Sequence, residues 1–203
     1  MIRVGVLASG SGSNFSALTE ALNVEGSPAR VELLLCNVPG AKVLERARAT
    51  GVEAVLLDHK THPSRESYDE AVAQTLIDRK IELVCLAGYM RLVTPAFLRR
   101  FPGKVINIHP ALLPSFPGMH GVRQAIVAGV KVAGCTVHFV DEGTDTGPII
   151  AQAAVPVLPG DDEASLAQRI HAEEHRLYPA VVRAIARGDV QLEGKKVRLK
   201  ELL

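Results

Sequence analysis

Lys104-Val105-Ile106-Asn107-Ile108-His109-Pro110-Ala111-Leu112-Leu113-Pro114 opens as a β-branched apolar run and stops at a proline. Along a strand, side chains alternate between faces, so Ile106 and Ile108 point one way and Val105, Asn107 and His109 the other. A strand covered on both sides is normally apolar throughout. Here an amide and an imidazole take the last positions, where open α/β sheets place their ligands. Pro110 ends the pairing by removing a backbone donor, and Pro114 and Pro117 stiffen the loop beyond. The stretch predicts a buried strand with a site at its carboxyl end.

Working outward, apolar runs at Ile2–Leu7, Val31–Cys36, Ala54–Leu57 and Leu83–Ala87 predict four earlier strands. Helical patterns alternate with them: one through about Leu22, then Ala41–Thr50, Ser64–Arg79 with Tyr68, Val72 and Leu76 at i+4 spacing, and Pro95–Arg100. Strict alternation implies parallel pairing with right-handed crossovers. After a helix at Gly121–Ala128 the pattern changes. Strands at Thr136–Val140 and Ile149–Val157 are joined by the turn-like Asp141–Gly147, which suggests antiparallel pairing. A long helix over roughly Ser165–Arg187 and a tail, Val190–Leu203, able to form a small hairpin complete the chain. The expected fold is α/β: one mixed, mostly parallel sheet with helices on both faces, and no internal repeat or linker.

With 203 residues, 47% hydrophobic, 22% charged and a formal net charge of +1, the chain can bury a sizeable core. Near-neutral charge speaks against a nucleic-acid platform or an anionic membrane surface. Cys36, Cys85 and Cys135 lie in apolar contexts without paired spacing, which reads as buried thiols in a reducing compartment. The start of the chain is too short and β-branched for a signal peptide, and no apolar run approaches membrane-spanning length. The expectation is a cytoplasmic protein, monomer or homodimer, with small-molecule substrates and no nucleic-acid or membrane partner.

Gly10-Ser11-Gly12-Ser13-Asn14 lies between the first strand and the first helix. Glycines let the backbone approach a ligand, and amides at a helix start favour an anion. Phe15 stands where a dinucleotide fingerprint needs its third glycine, and no GK[ST] follows, so a single phosphate fits better than a pyrophosphate. The plain alternative is an ordinary turn in which Ser and Asn cap the helix. Asn107 and His109 suit acyl transfer, with an amide donor for an oxyanion and an imidazole that stabilises charge or moves a proton. A carboxylate from Asp141–Gly147 would orient His109 and favour its protonated form, and spacing alone does not choose between Asp141 and Asp145. Glu174 falls on the apolar stripe of Leu166, Ile170, Leu177, Val181 and Ile185, so it needs a partner or a ligand. His171-Ala172-Glu173-Glu174-His175 formally matches H-x-x-E-H, but no third ligand at a persuasive spacing follows, so no metal is expected. His59, His62, His120 and His138 have no metal spacing either, though His120, after the Pro117-Gly118 turn, is placed to border the site.

The glycine loop, Gly88-Tyr89-Met90-Arg91-Leu92, Ile106–Pro114 with its N-x-H-P-x-L-L-P run, Asp145-Thr146-Gly147-Pro148 and Glu174-His175-Arg176-Leu177-Tyr178-Pro179 together resemble the folate-dependent formyltransferases. The resemblance covers nearly the whole chain. The N-x-H-P-x-L-L-P run is common to several branches; the glycine loop and short C-terminus are similar to the branch that formylates glycinamide ribonucleotide in purine synthesis. It implies one Rossmann-like formyltransferase domain over 1–203, with 1–100 mainly binding phosphate and acceptor and 101–203 mainly catalytic and folate-binding. It implies 10-formyltetrahydrofolate as co-substrate and no metal. Asn107, His109 and Asp145 match the catalytic trio, with Asp145 as the partner of His109. Gly12, Ser13 and Asn14 match the phosphate-holding positions, and Glu174 a contact to the glycinamide ribose. Arg65, Met90, Arg91, Leu92 and Val93 match folate positions, with the Leu92 backbone reading the pterin and the loop from Asp141 closing the pocket; Asn107 also borders the folate. The chain departs at Ala111, where Ser is frequent, and at Val122, where some relatives carry His. An initiator-tRNA formyltransferase would carry an additional basic domain, for which the sequence leaves no room. A phosphate-binding module without catalysis would leave Asn107, His109 and Glu174 without a purpose.

Overall fold

The structure, a computed structural model, describes residues 1–202. The elements run β1 (Ile2–Ala8), α1 (Ser13–Leu22), β2 (Ala29–Cys36), α2 (Lys42–Thr50), β3 (Glu53–Leu56), α3 (Arg65–Asp78), β4 (Leu83–Leu86), α4 (Pro95–Arg100) and β5 (Val105–His109). There follow α5 (Gly121–Ala128), β6 (Val132–Phe139), β7 (Ile149–Pro156), α6 (Glu163–Arg187), β8 (Val190–Glu193) and β9 (Lys196–Leu199). Seven strands form one mixed sheet in the order β3-β2-β1-β4-β5-β6-β7, and β8 and β9 form a separate hairpin. The α/β alternation expected from the sequence is present. The chain falls into two compact units, Met1–Ile106 and Asn107–Leu203.

In the first unit, β1 pairs in parallel with both β2 and β4, and β2 with β3. Register slips by one residue between Val4 and Gly5, which leaves Glu32 out of the ladder. Gly5 is needed for packing: a Cβ there would lie 2.8 Å from Leu76 of α3 and 3.0 Å from Ile81. Helix α1 buries Phe15, Leu18, Thr19 and Leu22, the spacing of one helical face. Truncating a ring like that of Phe15 typically costs about 3–5 kcal/mol. Helix α3 opens with a capping box between Ser64 and Ser67 and buries Tyr68, Val72 and Leu76 as its periodicity predicts. It also buries Asp69, whose Oδ2 accepts the Thr94 N–H at 2.6 Å; Thr94 in turn caps α4. A buried carboxylate thus joins the starts of the two helices.

In the second unit, β6 and β7 are antiparallel, with Cys135 opposite Ala153 and Thr136 opposite Gln152. Strand β6 begins at Val132, four residues before the sequence suggests, with Ala133 and Gly134 laddered to β7. Gly134 permits that pairing, since a Cβ there would collide with the Ala153 carbonyl. Helix α6 begins at an Asp162–Ser165 capping box and ends at Gly188, at φ 80. Asp161, just before it, takes a bidentate pair from Arg169 at 2.8 and 3.0 Å. The tail hairpin β8–β9 occupies the segment where the sequence allowed one; Leu203 lies outside the described residues.

Candidate active site

Strand β5 ends at His109, which is buried, with Asn107 two residues earlier on the same side and half-buried. The imidazole Nε2 lies 2.8 Å from the Phe116 carbonyl, and Nδ1 lies 3.4 Å from Asp145 Oδ2. A carbonyl only accepts, so Nε2 donates to Phe116, and Nδ1 faces the Asp145 carboxylate. The loop after β5 reaches this place through left-handed backbone at Phe116 (φ 56) and His120 (φ 63). Gly121 then backs the ring, for a Cβ there would meet Nε2 at 3.3 Å and the Phe116 oxygen at 3.3 Å.

Of the two candidate carboxylates, the structure brings Asp145 to His109. Asp145 sits at φ 55, a region Asp tolerates better than most residues, and its Oδ2 also accepts the Gly118 N–H at 2.7 Å. Asp141 stays in its own turn, exposed, accepting from Gly143 N at 3.1 Å and from the Thr146 hydroxyl at 2.7 Å. Burial pushes the Asp145 carboxyl up, but hydrogen bonds from His138 and Gly118 and the charge on His109 outweigh it and hold the group below its ordinary value. His138, which the sequence reading passed over, is buried beside the trio. Its Nδ1 donates to the Phe139 carbonyl at 2.8 Å, leaving Nε2 3.2 Å from Asn107 Nδ2 and 3.6 Å from Asp145 Oδ1. Asn107 Nδ2 makes a longer contact of 3.4 Å to Asp145 Oδ1. The one signal for His138 was a second polar residue, two after Thr136, inside a largely apolar strand.

The loop itself rests on Thr136, which is fully buried. Its hydroxyl donates to the Ala111 carbonyl at 2.7 Å and accepts from Leu113 N and Gln152 Nε2, both at 3.0 Å. Gln152 also donates to the Leu113 carbonyl at 2.9 Å. Two polar residues on paired strands thereby fix the backbone that leaves His109.

In the first unit, Gly12 precedes α1 at φ 76, and a Cβ there would overlap the Val43 side chain. Neither Ser13 nor Asn14 caps the helix, and no acidic residue lies in its first turn. Ser9 ties this loop to the next: its N–H donates to Gly88 O at 3.1 Å, its hydroxyl donates to Asn37 at 2.6 Å and accepts the Met90 N–H at 2.9 Å. Arg65 donates to the Leu92 carbonyl at 3.0 and 2.6 Å and to that of Val93 at 3.2 Å. The Leu92 carbonyl is therefore already engaged by a side chain from α3. Met90 and Leu92 are exposed, Val93 is buried, and Arg91 places its guanidinium 4.8 Å from the Tyr68 ring. Its Nε is buried without a hydrogen-bond partner among the described residues.

Glu174 is buried on α6, with His171 Nδ1 at 3.8 Å from its Oε2. Among the described residues no group of three His, Cys, Asp or Glu is placed to hold a metal, and His171 and His175 meet edge to face instead. His120 is exposed at the start of α5. All three cysteines are buried and free; burial, then Glu174, pushes the Cys135 thiol up to about 12, which keeps it unreactive.

The formyl transferase family pattern matches residues 2–182. The phosphoribosylglycinamide formyltransferase of Bacillus subtilis is 46% identical over 91% of this chain and 95% of its own, and that of Mycobacterium tuberculosis 46% over 95% and 89%. The chain is also similar to one part of larger proteins, spanning 15% and 14% of the trifunctional purine biosynthetic proteins of Drosophila pseudoobscura and Drosophila melanogaster at 49% and 48% identity. Among solved structures, glycinamide ribonucleotide transformylase 1 from Symbiobacterium toebii superposes with a TM-score of 0.97 at 51% identity, covering 99% of this chain and 95% of that one. Sequence pattern, full-length relatives and backbone agree: the chain belongs to the formyl transferase family.

Proposed function

We propose that this chain transfers the formyl group of 10-formyltetrahydrofolate to the amine of glycinamide ribonucleotide, giving formylglycinamide ribonucleotide in purine biosynthesis. It is the reaction of the phosphoribosylglycinamide formyltransferases that the chain matches over nearly their whole length. The observation that carries the reading is His109, held with both ring nitrogens turned to acceptors beside Asn107 and Asp145. In this mechanism the acceptor amine attacks the formyl carbon and its carbonyl oxygen becomes an oxyanion. Protonated His109 meets that charge at Nε2, where the Phe116 carbonyl now marks the place of an acceptor. Asn107 exchanges its long contact to Asp145 for the same oxygen. Asp145 orients the ring and faces it with a negative charge. A proton leaves the attacking nitrogen and one reaches N10 of the folate, the C–N10 bond breaks, and tetrahydrofolate departs; no covalent enzyme intermediate forms.

The remaining assignments are part of the same proposal. Gly12, Ser13 and Asn14 hold the acceptor phosphate, and Glu174 its glycinamide ribose. Arg65, Met90, Arg91, Leu92 and Val93 hold the folate together with Asn107 and Asp141, and the buried Nε of Arg91 supports this as a donor awaiting a ligand. The protein works in the cytoplasm, as monomer or homodimer, without nucleic acid, membrane or metal; among the described residues no helix is long and apolar enough to cross a membrane. The test is absorbance-monitored release of tetrahydrofolate from 10-formyltetrahydrofolate, with and without glycinamide ribonucleotide and with no metal added. Release that depends on the ribonucleotide supports the proposal. Folded protein that binds a sugar phosphate but never turns over would make it a binding module instead.

A further inference from the structure

We propose that Arg46, on α2, is the positioning residue of the phosphate loop, tying it to the first turn of α1 and supplying the positive charge that the loop lacks. The inference rests on the phosphate reading of Gly12, Ser13 and Asn14. Residues 8–16, Ala-Ser-Gly-Ser-Gly-Ser-Asn-Phe-Ser, contain no cation, so amide dipoles alone would face a phosphate dianion. The first turns of α2 form the floor under that loop. Val43 donates its N–H to the Gly10 carbonyl at 3.1 Å, and its side chain fills the space a Cβ on Gly12 would need. One turn later, Arg46 donates from Nε to the Ser11 carbonyl at 2.8 Å and from Nη1 to the Ser16 hydroxyl at 3.1 Å.

These two bonds tie the glycine loop to the helix that follows it. Ser11 lies between the glycines, whereas Ser16 is in the first turn of α1, its N–H bonded to the Gly12 carbonyl at 3.0 Å. A planar guanidinium bridges two such acceptors at fixed spacing, which an ammonium does not. Among the described residues no carboxylate forms an ion pair with Arg46, so its charge is not consumed within the protein. Helix α1 has neither a side-chain cap nor an acidic first turn, so its positive end is not neutralised either. The chemical class selected is a phosphate monoester dianion.

The test uses the full chain with Arg46→Gln and Arg46→Lys, two acceptors and one competitor. The acceptors are glycinamide ribonucleotide and glycinamide riboside, which lacks the phosphate; the competitor is inorganic phosphate. Losing a charge-assisted contact at a bound anion corresponds to about a 10- to 100-fold change in affinity. Arg46→Gln should therefore raise KM for the ribonucleotide by that factor, well beyond any fall in kcat, and weaken inhibition by phosphate in parallel. The preference of the wild type for ribonucleotide over riboside should largely disappear. Arg46→Lys should fall between, because charge remains and the fork is lost. An unchanged ribonucleotide KM in Arg46→Gln, or equal losses on both acceptors, would overturn the proposal. Should Arg46→Gln not fold, Ser16→Ala removes one of the two clasped groups and should raise the same KM several-fold. If the wild type shows no formyl transfer at all, the activity reading fails, and calorimetric binding of inorganic phosphate to wild type and Arg46→Lys decides the role of Arg46 by itself.

Discussion

Asp145→Asn isolates the charge that faces His109. Asn tolerates the left-handed backbone at φ 55 and keeps a carbonyl oxygen for the Gly118 N–H, so the shape of the loop survives. What is lost is a negative charge 3.4 Å from Nδ1. At an effective dielectric of about 20, opposite unit charges at that separation attract by about 5 kcal/mol. Desolvation of the half-buried carboxylate offsets part of this, leaving ~3–4 kcal/mol of support for the protonated ring. If that support acts in the transition state, kcat falls by about 10²- to 10³-fold while both KM values change little. Steady-state release of tetrahydrofolate at saturating substrates measures it, with thermal melting beside it to confirm folding. A folded Asp145→Asn enzyme within about threefold of wild-type kcat would refute the reasoning. Stability gives an independent check with a definite sign. The folded carboxyl titrates below its ordinary 3.8, so its contribution is present above that value and fades as pH falls through the lower folded one. Asp145→Asn should thus cost stability at neutral pH, and the gap to wild type should close only in strong acid.

Three further substitutions separate the remaining parts. Gly12→Ala places a Cβ in the Val43 side chain on left-handed backbone; it should raise the ribonucleotide KM at least ~10-fold and cost about 1–3 kcal/mol, read by kinetics and urea unfolding. Thr136→Val removes the hydroxyl that serves Ala111, Leu113 and Gln152, and should cost about 2–4 kcal/mol in urea unfolding with a fall in kcat, since the backbone leaving His109 loses its anchor. Arg65→Ala frees the Leu92 and Val93 carbonyls and should raise the folate KM about 10-fold while leaving that of the ribonucleotide nearly unchanged, a split that initial-rate kinetics resolves.

How far the sequence was legible depended on the range of the interaction. Strand β5 coincides with Val105–His109, because an apolar run ended by Pro110 has one reading. Helix α3 kept its Tyr68, Val72 and Leu76 stripe for the same local reason. The 3₁₀ turn at His59–Thr61 went unread, since its cap, Asp58, accepts from Lys60 in a pattern that a plain loop shares. The start of β6 was hidden by Gly134, whose necessity appears only once Ala153 lies opposite. In the site, residue types announced Asn107, His109 and the glycine loop. The choice of Asp145 over Asp141 depends on a backbone turn at Asp145 that no spacing rule contains, and only the resemblance indicated it. Arg46, Thr136 and Gln152 carry ordinary helix and strand signals; their importance lies in partners far along the chain.

Among the described residues, four other than glycine adopt left-handed backbone: Lys80, Phe116, His120 and Asp145. Each costs about 1–2 kcal/mol relative to glycine. Lys80 terminates α3, away from the chemistry, whereas Phe116 and Asp145 touch the His109 ring and His120 leads into the helix behind it. Selection for heat resistance can relax Lys80 to glycine at no catalytic loss. The same relaxation at Phe116 or Asp145 would loosen the acceptors that hold the imidazole. Variants of this enzyme that gain thermal tolerance should therefore accumulate changes at the first kind of position and leave the second strained, so that the loop after β5 becomes the part of the molecule that ages slowest in sequence and softens first on heating.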